Sequence, residues 1–395
     1  MKVDVVAITS TDEEVIKKTT KEDLELAGGY SANICYTQKE WKEIVKEDYQ
    51  RTKNRIEGNK ANNHHSVFGH AHISLYISGL PKLLAMLLNN EHEYNTSEKS
   101  ARYTKMMPTQ EELAIYEKWV TILEQEIKKA YPNEKYLNDK KIHKLAMENA
   151  RYFISVLTPT NFEYTTSFRQ LDYIHDFCLK LLEDKSNNKL IEAIKPSVER
   201  FAYELEKTGL IAKDIQDYRH RKFSLIVENN DYPEQFGRTY STNYQASFAQ
   251  VAQQQRHRTL YYTISYPEVE TFYIPPIISE NENLKKAWLD DMVYLHSLKN
   301  IPQGTLVNVN ETGTYENFIL KLQERLCTEA QLEISMQCKS TLEKYIQALK
   351  AEKDSRIQPI LTELEKMNVG ARCLSGYNCT NPCGFKEGIT LIRKI

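Results

Sequence analysis

The most informative segment of this chain is residues 250–259, which read Q-V-A-Q-Q-Q-R-H-R-T. A partly apolar run ends here in three consecutive basic or ionisable side chains, which makes the segment too basic for a core. The guanidinium groups of Arg256 and Arg258 flank the imidazole of His257 at the end of a predicted helix. This pattern suits a planar, polyanionic ligand such as a phosphorylated cofactor, with a solvated arginine patch as the alternative.

A second triplet, Arg219-His220-Arg221, has the same letters, but the surroundings of the two differ. Gln253 lies three residues before Arg256, and F-Y-I-P-P follows at residues 272–276. Together, Q-x-x-R-H-R and F-Y-I-P-P resemble the flavin-dependent thymidylate synthases. The resemblance implies that Gln253 binds deoxyuridylate (dUMP). The FAD-binding residues it implies are Arg256, His257 and Arg258.

A histidine-rich segment lies upstream, where residues 63–72 read N-H-H-S-V-F-G-H-A-H. Four imidazoles within nine residues allow a metal site, but no carboxylate or thiolate partner accompanies them. The segment is also similar to the family's G-H-x-S/T-x-F-E-H, which implies that His64 and Ser66 approach the flavin. Gly69 stands where the family usually has Glu, so one polar contact of the pattern is missing.

The first half of the chain carries the other part of the family's long signature. Residues 90–92 are N-E-H where the family has R-H-R, yet Glu98, Ser100 and Arg102 match its E-x-S-x-R. Ser and Arg at alternate positions of an extended segment point the same way and suit a phosphate. The resemblance implies that all three residues bind dUMP.

The second half shows the opposite loss. At the same offsets after Arg256 it has residues that cannot bind a phosphate, namely Ile264, Tyr266 and Glu268. One half therefore keeps the nucleotide-binding part of the signature, whereas the other keeps the flavin-binding triplet. The two losses are complementary.

Two further arginines match the family pattern. Arg151, followed by Leu157-Thr158, resembles A-R-x-x-L-P, whose Arg binds dUMP. Residues 324–334 read E-R-L-C-T-E-A-Q-L-E-I and resemble the helix whose Arg polarises the pyrimidine, which makes Arg325 the implied catalytic residue. The first half has Cys178 at the matching place, so it offers no second copy. Ser167 departs from the Asn of T-x-N-x-R-S-L.

These matches predict an internal duplication with diverged repeats. We expect an α/β (α+β) fold in which each repeat is an antiparallel sheet flanked by helices. The predicted boundaries are 1–222 for the first repeat, 223–366 for the second and 367–395 for a Cys-rich tail. Because the family's sites form where four subunits meet, two fused repeats imply a homodimer that acts as a pseudo-tetramer.

The tail places three thiols within eleven residues, at Cys373, Cys379 and Cys383. This spacing predicts either a small zinc site completed by a fourth ligand or a set of reduced cysteines in a loop. The seven cysteines are an odd number, and Cys35, Cys178, Cys327 and Cys338 are scattered through helix-like or strand-like segments. We expect these four to be reduced and mostly buried.

Composition excludes several classes of protein. The 395 residues are enough for two or three domains. The 52 basic and 54 acidic residues nearly cancel, so no broad footprint for nucleic acid exists. No apolar run approaches the ~20 residues that span a bilayer, and the start, M-K-V-D, does not read as a signal peptide. We expect a cytoplasmic protein that binds neither nucleic acid nor membrane.

Local patterns predict a few elements around these motifs. They are a strand at 3–8, a capped helix at 12–18, a helix at 38–56, a strand at 73–77 and a helix at 83–90.

The resemblance implies conversion of dUMP to dTMP, with FAD as the hydride carrier, NADPH as the reductant and 5,10-methylenetetrahydrofolate as the carbon donor. Two alternatives stay open. One is a sister flavoenzyme that acts on another pyrimidine nucleotide or one-carbon donor. The other is a catalytically inactive nucleotide-binding scaffold, which losses in both repeats would produce.

Overall fold

The computed structural model describes residues 1–10, 12–99, 107–352, 354–380 and 383–395. In chain order the first elements are β1 (Lys2–Ile8), α1 (Glu13–Lys18), α2 (Lys21–Asn33), α3 (Trp41–Ile44), α4 (Tyr49–Ala61), β2 (His72–Pro81), α5 (Lys82–Leu88), β3 (Tyr94–Glu98), α6 (Gln110–Ala130), α7 (Asp139–Ala150), β4 (Pro159–Ser167), α8 (Phe168–Leu182) and α9 (Lys189–Lys207). Among the described residues, no helix is long and apolar enough to cross a membrane.

The remaining elements are β5 (Gln235–Phe236), β6 (Thr239–Ser247), α10 (Phe248–Gln254), β7 (Tyr261–Ser265), α11 (Pro276–Ser279), α12 (Glu282–Ser297), β8 (Leu306–Thr314), α13 (Tyr315–Arg325), α14 (Leu332–Ala351), α15 (Gln358–Met367) and α16 (Lys386–Thr390). Short 3₁₀ helices are formed by Ile34–Tyr36, His65–Gly69, Arg151–Phe153, Ser355–Ile357 and Arg372–Ser375.

The predicted strand at 3–8 and the capped helix at 12–18 are confirmed as β1 and α1, and Asp12 accepts a hydrogen bond from the Glu14 backbone N–H. The single helix predicted over 38–56 is wrong. The chain forms α3 and α4 instead, because Glu40 and Glu43 form a capping box at the start of α3. Asp48 then accepts a hydrogen bond from the Arg51 N–H and begins a new helix.

The chain forms two compact units, each of which is discontinuous in sequence. Unit 1 comprises Met1–Lys99 with Pro159–Ser224, and unit 2 comprises Ser100–Thr158 with Leu225–Ile395. Unit 1 contains a four-stranded sheet in the order β1-β2-β4-β3. All of its neighbouring strands are antiparallel. Along β2, Ile73, Leu75 and Ile77 are buried in the alternation expected of a sheet with one face against a core.

Unit 2 contains a four-stranded sheet in the order β5-β6-β8-β7, which is also antiparallel throughout. The α/β fold with two antiparallel sheets and flanking helices is therefore confirmed. The corresponding strands of the two sheets occur in the same order, which is the pattern that a duplication would leave. The duplication and its boundaries at 222 and 366 stay predictions, because sequence repeats and compact packing units are different divisions of a chain.

The described part of residues 100–158 packs within unit 2 around a cluster of aromatic side chains. Trp119 of α6 lies edge-to-face against Trp288 of α12, with ring centroids 4.8 Å apart. Phe153 lies 4.4 Å from Trp288 by the same measure. Rigid aromatic contacts of this kind hold the chain after α7 in a defined position, and this segment carries Arg151.

Unit 2 also buries an ion pair between α13 and the second sheet. Lys321 of α13 and Glu311 of β8 are both 0% exposed, and their charged atoms are 2.6 Å apart. Tyr240 and Tyr244 donate to the same carboxylate. Burial of the two charges requires this network, because each would otherwise lose its hydration without compensation.

Replacement of Lys321 by Met should lower the free energy of unfolding by about 3 kcal/mol, because it leaves the Glu311 carboxylate buried and uncompensated. The double variant Lys321→Met with Glu311→Gln should recover much of this loss. Urea unfolding followed by fluorescence of the buried Trp119 and Trp288 measures both effects. A matched control is Lys344→Met, which breaks a partly exposed pair with Glu234 and should cost less than about 1 kcal/mol. A double variant as unstable as Lys321→Met would contradict the assignment.

Candidate functional site

The central element of the site is α10, which begins directly where β6 ends. The Ser247 hydroxyl accepts a hydrogen bond from the Gln250 N–H at 3.0 Å and caps the helix. The helix ends after Gln254, and the chain then turns through the R-H-R triplet. His257 is buried in this turn, whereas Arg256 and Arg258 are exposed. The triplet therefore presents its imidazole inward and its two guanidinium groups outward.

His257 receives a hydrogen bond from Arg325 at the end of α13. The Arg325 Nε–H donates to His257 Nε2 at 2.7 Å, and Nη2 donates to the Gln253 carbonyl oxygen at 3.3 Å. Burial, together with the positive charges of Arg325 and Lys321, lowers the pKa of His257 to about 2. The imidazole is therefore neutral at physiological pH. Because Nε2 accepts a hydrogen bond, the ring proton lies on Nδ1.

The side chain of Gln331 forms the second part of the site. Its oxygen Oε1 accepts hydrogen bonds from Arg151 Nη2 and from Gln253 Nε2. Its amide Nε2 donates to the Tyr152 hydroxyl. Gln253 thus accepts from Arg325 with its backbone oxygen and donates from its side chain to the Gln331 oxygen that also accepts from Arg151. The two guanidinium groups are therefore linked through two glutamines, Gln253 and Gln331.

The Glu333 carboxylate accepts hydrogen bonds from two residues next to this arrangement, Tyr152 and Ser247. Tyr152 donates to its Oε2 at 2.6 Å, and the Ser247 N–H and hydroxyl donate to the two carboxylate oxygens at 2.9 and 2.7 Å. Burial raises the pKa of Glu333, and these three hydrogen bonds oppose that shift. The carboxylate therefore connects β6, α14 and the 3₁₀ helix that begins at Arg151.

Unit 2 accordingly brings together four of the predicted site residues: Arg151, Gln253, His257 and Arg325. Their side chains supply two guanidinium groups, an amide and a neutral imidazole. Guanidinium groups bind phosphate or a pyrimidine carbonyl in a fixed planar geometry, and the amide and imidazole add directional hydrogen bonds. The arrangement is suited to an anionic, planar ligand.

Three further predicted residues, His64, Ser66 and Glu98, lie in unit 1. His64 and Ser66 are exposed at the 3₁₀ helix His65–Gly69. Glu98 ends β3 and accepts two hydrogen bonds from Lys82, at 2.8 and 2.6 Å. Ser100 and Arg102 lie outside the described residues. In the comparison triplet, Arg219 and Arg221 both pair with Asp217, so carboxylates within unit 1 neutralise those arginines.

The three tail cysteines do not form a metal site in the described part of the chain, which contains no group of three or more His, Cys, Asp or Glu side chains able to hold an ion. Cys373 is exposed, and the Cys383 Sγ lies 3.2 Å from the Thr328 hydroxyl. A hydroxyl contact on a partly apolar surface accounts for Cys383 without a metal. The predicted zinc at Cys373, Cys379 and Cys383 is therefore not supported. Cys178 and Cys338 are free and buried, as expected of reduced thiols.

Three residues of the site were not predicted as functional: Gln331, Glu333 and Tyr152. Gln331 and Glu333 are the polar letters of the A-Q-x-E-I match, so a signal for them was present in the sequence. Tyr152 had no such signal, because a Tyr beside a predicted binding residue is as common in a core as in a site.

The fold and the site define an α/β protein with a polar site built on an antiparallel sheet. Residues 14–189 match the family model described as "Thymidylate synthase complementing protein". No curated protein matches the chain.

Two kinds of solved structure are similar to the chain. A UMP/dUMP methylase, PolB from Streptomyces cacaoi bound with 5-Br dUMP, is 16% identical, with 54% of this chain and 92% of that chain covered and a TM-score of 0.32. Thymidylate synthase X from Helicobacter pylori with FAD and dUMP is 15% identical, with 54% and 99% covered and a TM-score of 0.31.

Replacement of His257 by Gln tests the buried neutral imidazole. In the wild-type protein, the unfolded chain takes up a proton on His257 below about pH 6.5. The folded chain does not, because the folded pKa is about 2. Stability should therefore fall as the pH falls through this window, and the variant should lack this contribution. The difference in unfolding free energy between the two proteins should narrow by about 1.4 kcal/mol per pH unit between roughly pH 6 and 4.5.

Urea unfolding at a series of pH values measures this difference. Parallel curves for the two proteins would show that His257 takes up its proton equally in both states, contrary to the geometry.

Proposed function

We propose that this protein is an FAD-dependent thymidylate synthase that converts dUMP to dTMP. The carbon comes from 5,10-methylenetetrahydrofolate, and NADPH supplies the reducing equivalents. The observation that carries the proposal is the chain of hydrogen bonds that links Arg151, Gln253 and Arg325 through Gln331. These are the residues that the family resemblance assigns to dUMP, and they come from both predicted repeats. The family-model match over residues 14–189 supports the same activity.

The two arginines differ in their expected roles because they differ in their fixed partners. Arg325 donates to the neutral His257 and to a backbone oxygen, and it lies 3.8 Å from the largely exposed Glu324 carboxylate. It is the group we expect at the pyrimidine, where it would stabilise the enolate-like negative charge that makes C5 nucleophilic toward the methylene donor. Arg151 and Gln253 hold the nucleotide and place C5 for reaction.

The triplet fits FAD on chemical grounds. FAD, when bound, supplies the hydride that completes the methyl group. Arg256 and Arg258 are exposed and one residue apart, which suits the oxygens of a diphosphate. His257 would donate from Nδ1 to the flavin edge, since its Nε2 accepts from Arg325. His64 and Ser66 are the flavin-facing residues proposed for unit 1.

We further propose that Glu98, Ser100 and Arg102 bind the nucleotide sugar and phosphate, and that two copies of the chain assemble into the pseudo-tetramer. Each repeat would then provide what the other has lost. Light scattering of the purified protein tests the assembly, which should show twice the mass of one chain.

The first assay is tritium release from dUMP labelled at C5, with FAD, NADPH and methylenetetrahydrofolate, followed by identification of the nucleotide product. Release accompanied by dTMP supports the synthase. Release with a different product, or release from labelled UMP in preference to dUMP, favours a sister flavoenzyme, for which the departures at Gly69 and Ser167 are the sequence signal. No release from flavin-loaded protein would contradict the proposal and favour a binding scaffold.

Replacement of Arg325 by Ala should reduce turnover by at least about a hundredfold, because it removes a preorganised charge from the developing anion. The FAD content should change by less than about twofold, since the exposed Arg256 and Arg258 are unaltered. Flavin absorbance and the tritium assay measure the two quantities separately. Arg356→Ala, at an exposed arginine paired only locally with Asp354, serves as the control and should change neither. Equal loss of turnover and FAD would rule out a catalytic role for Arg325.

A further inference from the structure

Residues 326–331 form the connection between α13 and α14. This connection begins after Arg325 and ends at Gln331. Each flanking residue contacts a different part of Gln253, so the shape of the connection sets the distance between the two halves of the site. A loop of this length has many conformations, and other groups must select one of them.

Arg393 makes the contacts that select this conformation. Its side chain is buried, and Nη1 donates to the Thr328 carbonyl oxygen at 2.6 Å. Nη2 donates to the carbonyl oxygen of Ala330 and lies 3.4 Å from the Ser335 hydroxyl. That hydroxyl donates to the Arg325 backbone oxygen at 2.8 Å. One planar guanidinium group therefore spans the connection and reaches the backbone of the proposed catalytic arginine through one side chain.

The burial of Arg393 needs an explanation beyond packing. The acceptors of its hydrogen bonds are backbone oxygens and a hydroxyl, and the negative charge of the buried Glu148 also acts on it. Burial nevertheless lowers the pKa of Arg393, so the buried cation is costly, and a methionine or leucine would fill a core position without that cost. What the guanidinium adds is a rigid fork of donors that matches two carbonyl groups at once.

Other residues of the tail hold the same connection. The Arg372 N–H donates to the Leu326 oxygen at 2.7 Å. Gly388 packs so closely on Thr328 that a Cβ there would lie 2.5 Å from the Thr328 Cγ2. Phe385 and Ile395 are buried in the hydrophobic core of unit 2 and anchor the segment on both sides of these contacts.

We propose that residues 371–380 and 383–395 act as a latch on the site, with Arg393 as the positioning residue that sets the spacing of Arg325 and Gln331. The importance of this spacing for dUMP rests on the proposed function. The family resemblance assigns nothing to this segment, because its motifs end at residue 334. The latch makes the substrate affinity of the site depend on a segment outside both predicted repeats.

The test compares Arg393→Met with Arg393→Lys, and uses Arg356→Met as the control at an exposed, locally paired arginine. Calorimetry measures dUMP affinity. Arg393→Met should weaken it by about tenfold, and Arg393→Lys should fall between that variant and wild type, since an ammonium can reach one carbonyl but not span two. Hydrogen exchange of the ligand-free proteins should accelerate at residues 326–335 and stay unchanged elsewhere in unit 2.

A spectroscopic signal tests the latch without substrate. The imidazole ¹⁵N resonances of His257, assigned by their loss in the His257→Gln variant, report the hydrogen bond from Arg325. They should shift in Arg393→Met and stay at their wild-type values in the control. If the wild-type protein binds no dUMP, the proposed function fails. The hydrogen exchange and the ¹⁵N resonances of His257, both measured without dUMP, still test the latch. The latch would be overturned if Arg393→Met kept the wild-type ¹⁵N resonances of His257 and the wild-type hydrogen exchange at residues 326–335. A general rise of exchange across unit 2 would overturn it as well, since that result indicates a merely structural residue.

Discussion

Unit 2 depends on one constraint: the charged groups that it buries must find hydrogen-bond partners inside the protein. Lys321, Glu311, Glu333 and Arg393 are all largely removed from water. An interior charge without partners costs several kcal/mol. The partners are backbone oxygens of the connection between α13 and α14, hydroxyls of tyrosine and serine, and a glutamine amide, and these contacts connect the elements that carry the site.

The same constraint determines the protonation of the site. Burial, together with the positive charges of Arg325 and Lys321, lowers the pKa of His257 and so disfavours a proton on its ring. The imidazole is then free to accept from Arg325, which a protonated ring could not do. Arg219 and Arg221 of the other triplet both pair with the buried carboxylate of Asp217. The two triplets therefore have different surroundings, although their letters are the same.

The sequence predicted the class of fold and several residues of the site, because these features leave local signals. Arg325 and Gln253 were found through motifs with fixed spacing, and the antiparallel sheets were expected from the family. The break between α3 and α4 was missed, since two capping side chains outweighed the helical pattern of residues 38–56. Zinc was an expectation from spacing alone. Spacing cannot show whether Cys383 meets another thiol or the Thr328 hydroxyl that it contacts.

Long-range contacts were beyond the reach of local patterns for a physical reason. Arg151 and Gln331 are 180 residues apart, and Arg393 is 65 residues from Thr328. Only packing brings such residues together, here through the aromatic cluster of Trp119, Phe153 and Trp288. Under the proposed duplication, this packing has a further consequence. The site is assembled within one unit from residues of both halves, so it needs one Arg151 and one Arg325. The positions equivalent to Arg151 and Arg325 in the opposite repeats would then be under relaxed selection. Complementary loss is then the expected result of the packing.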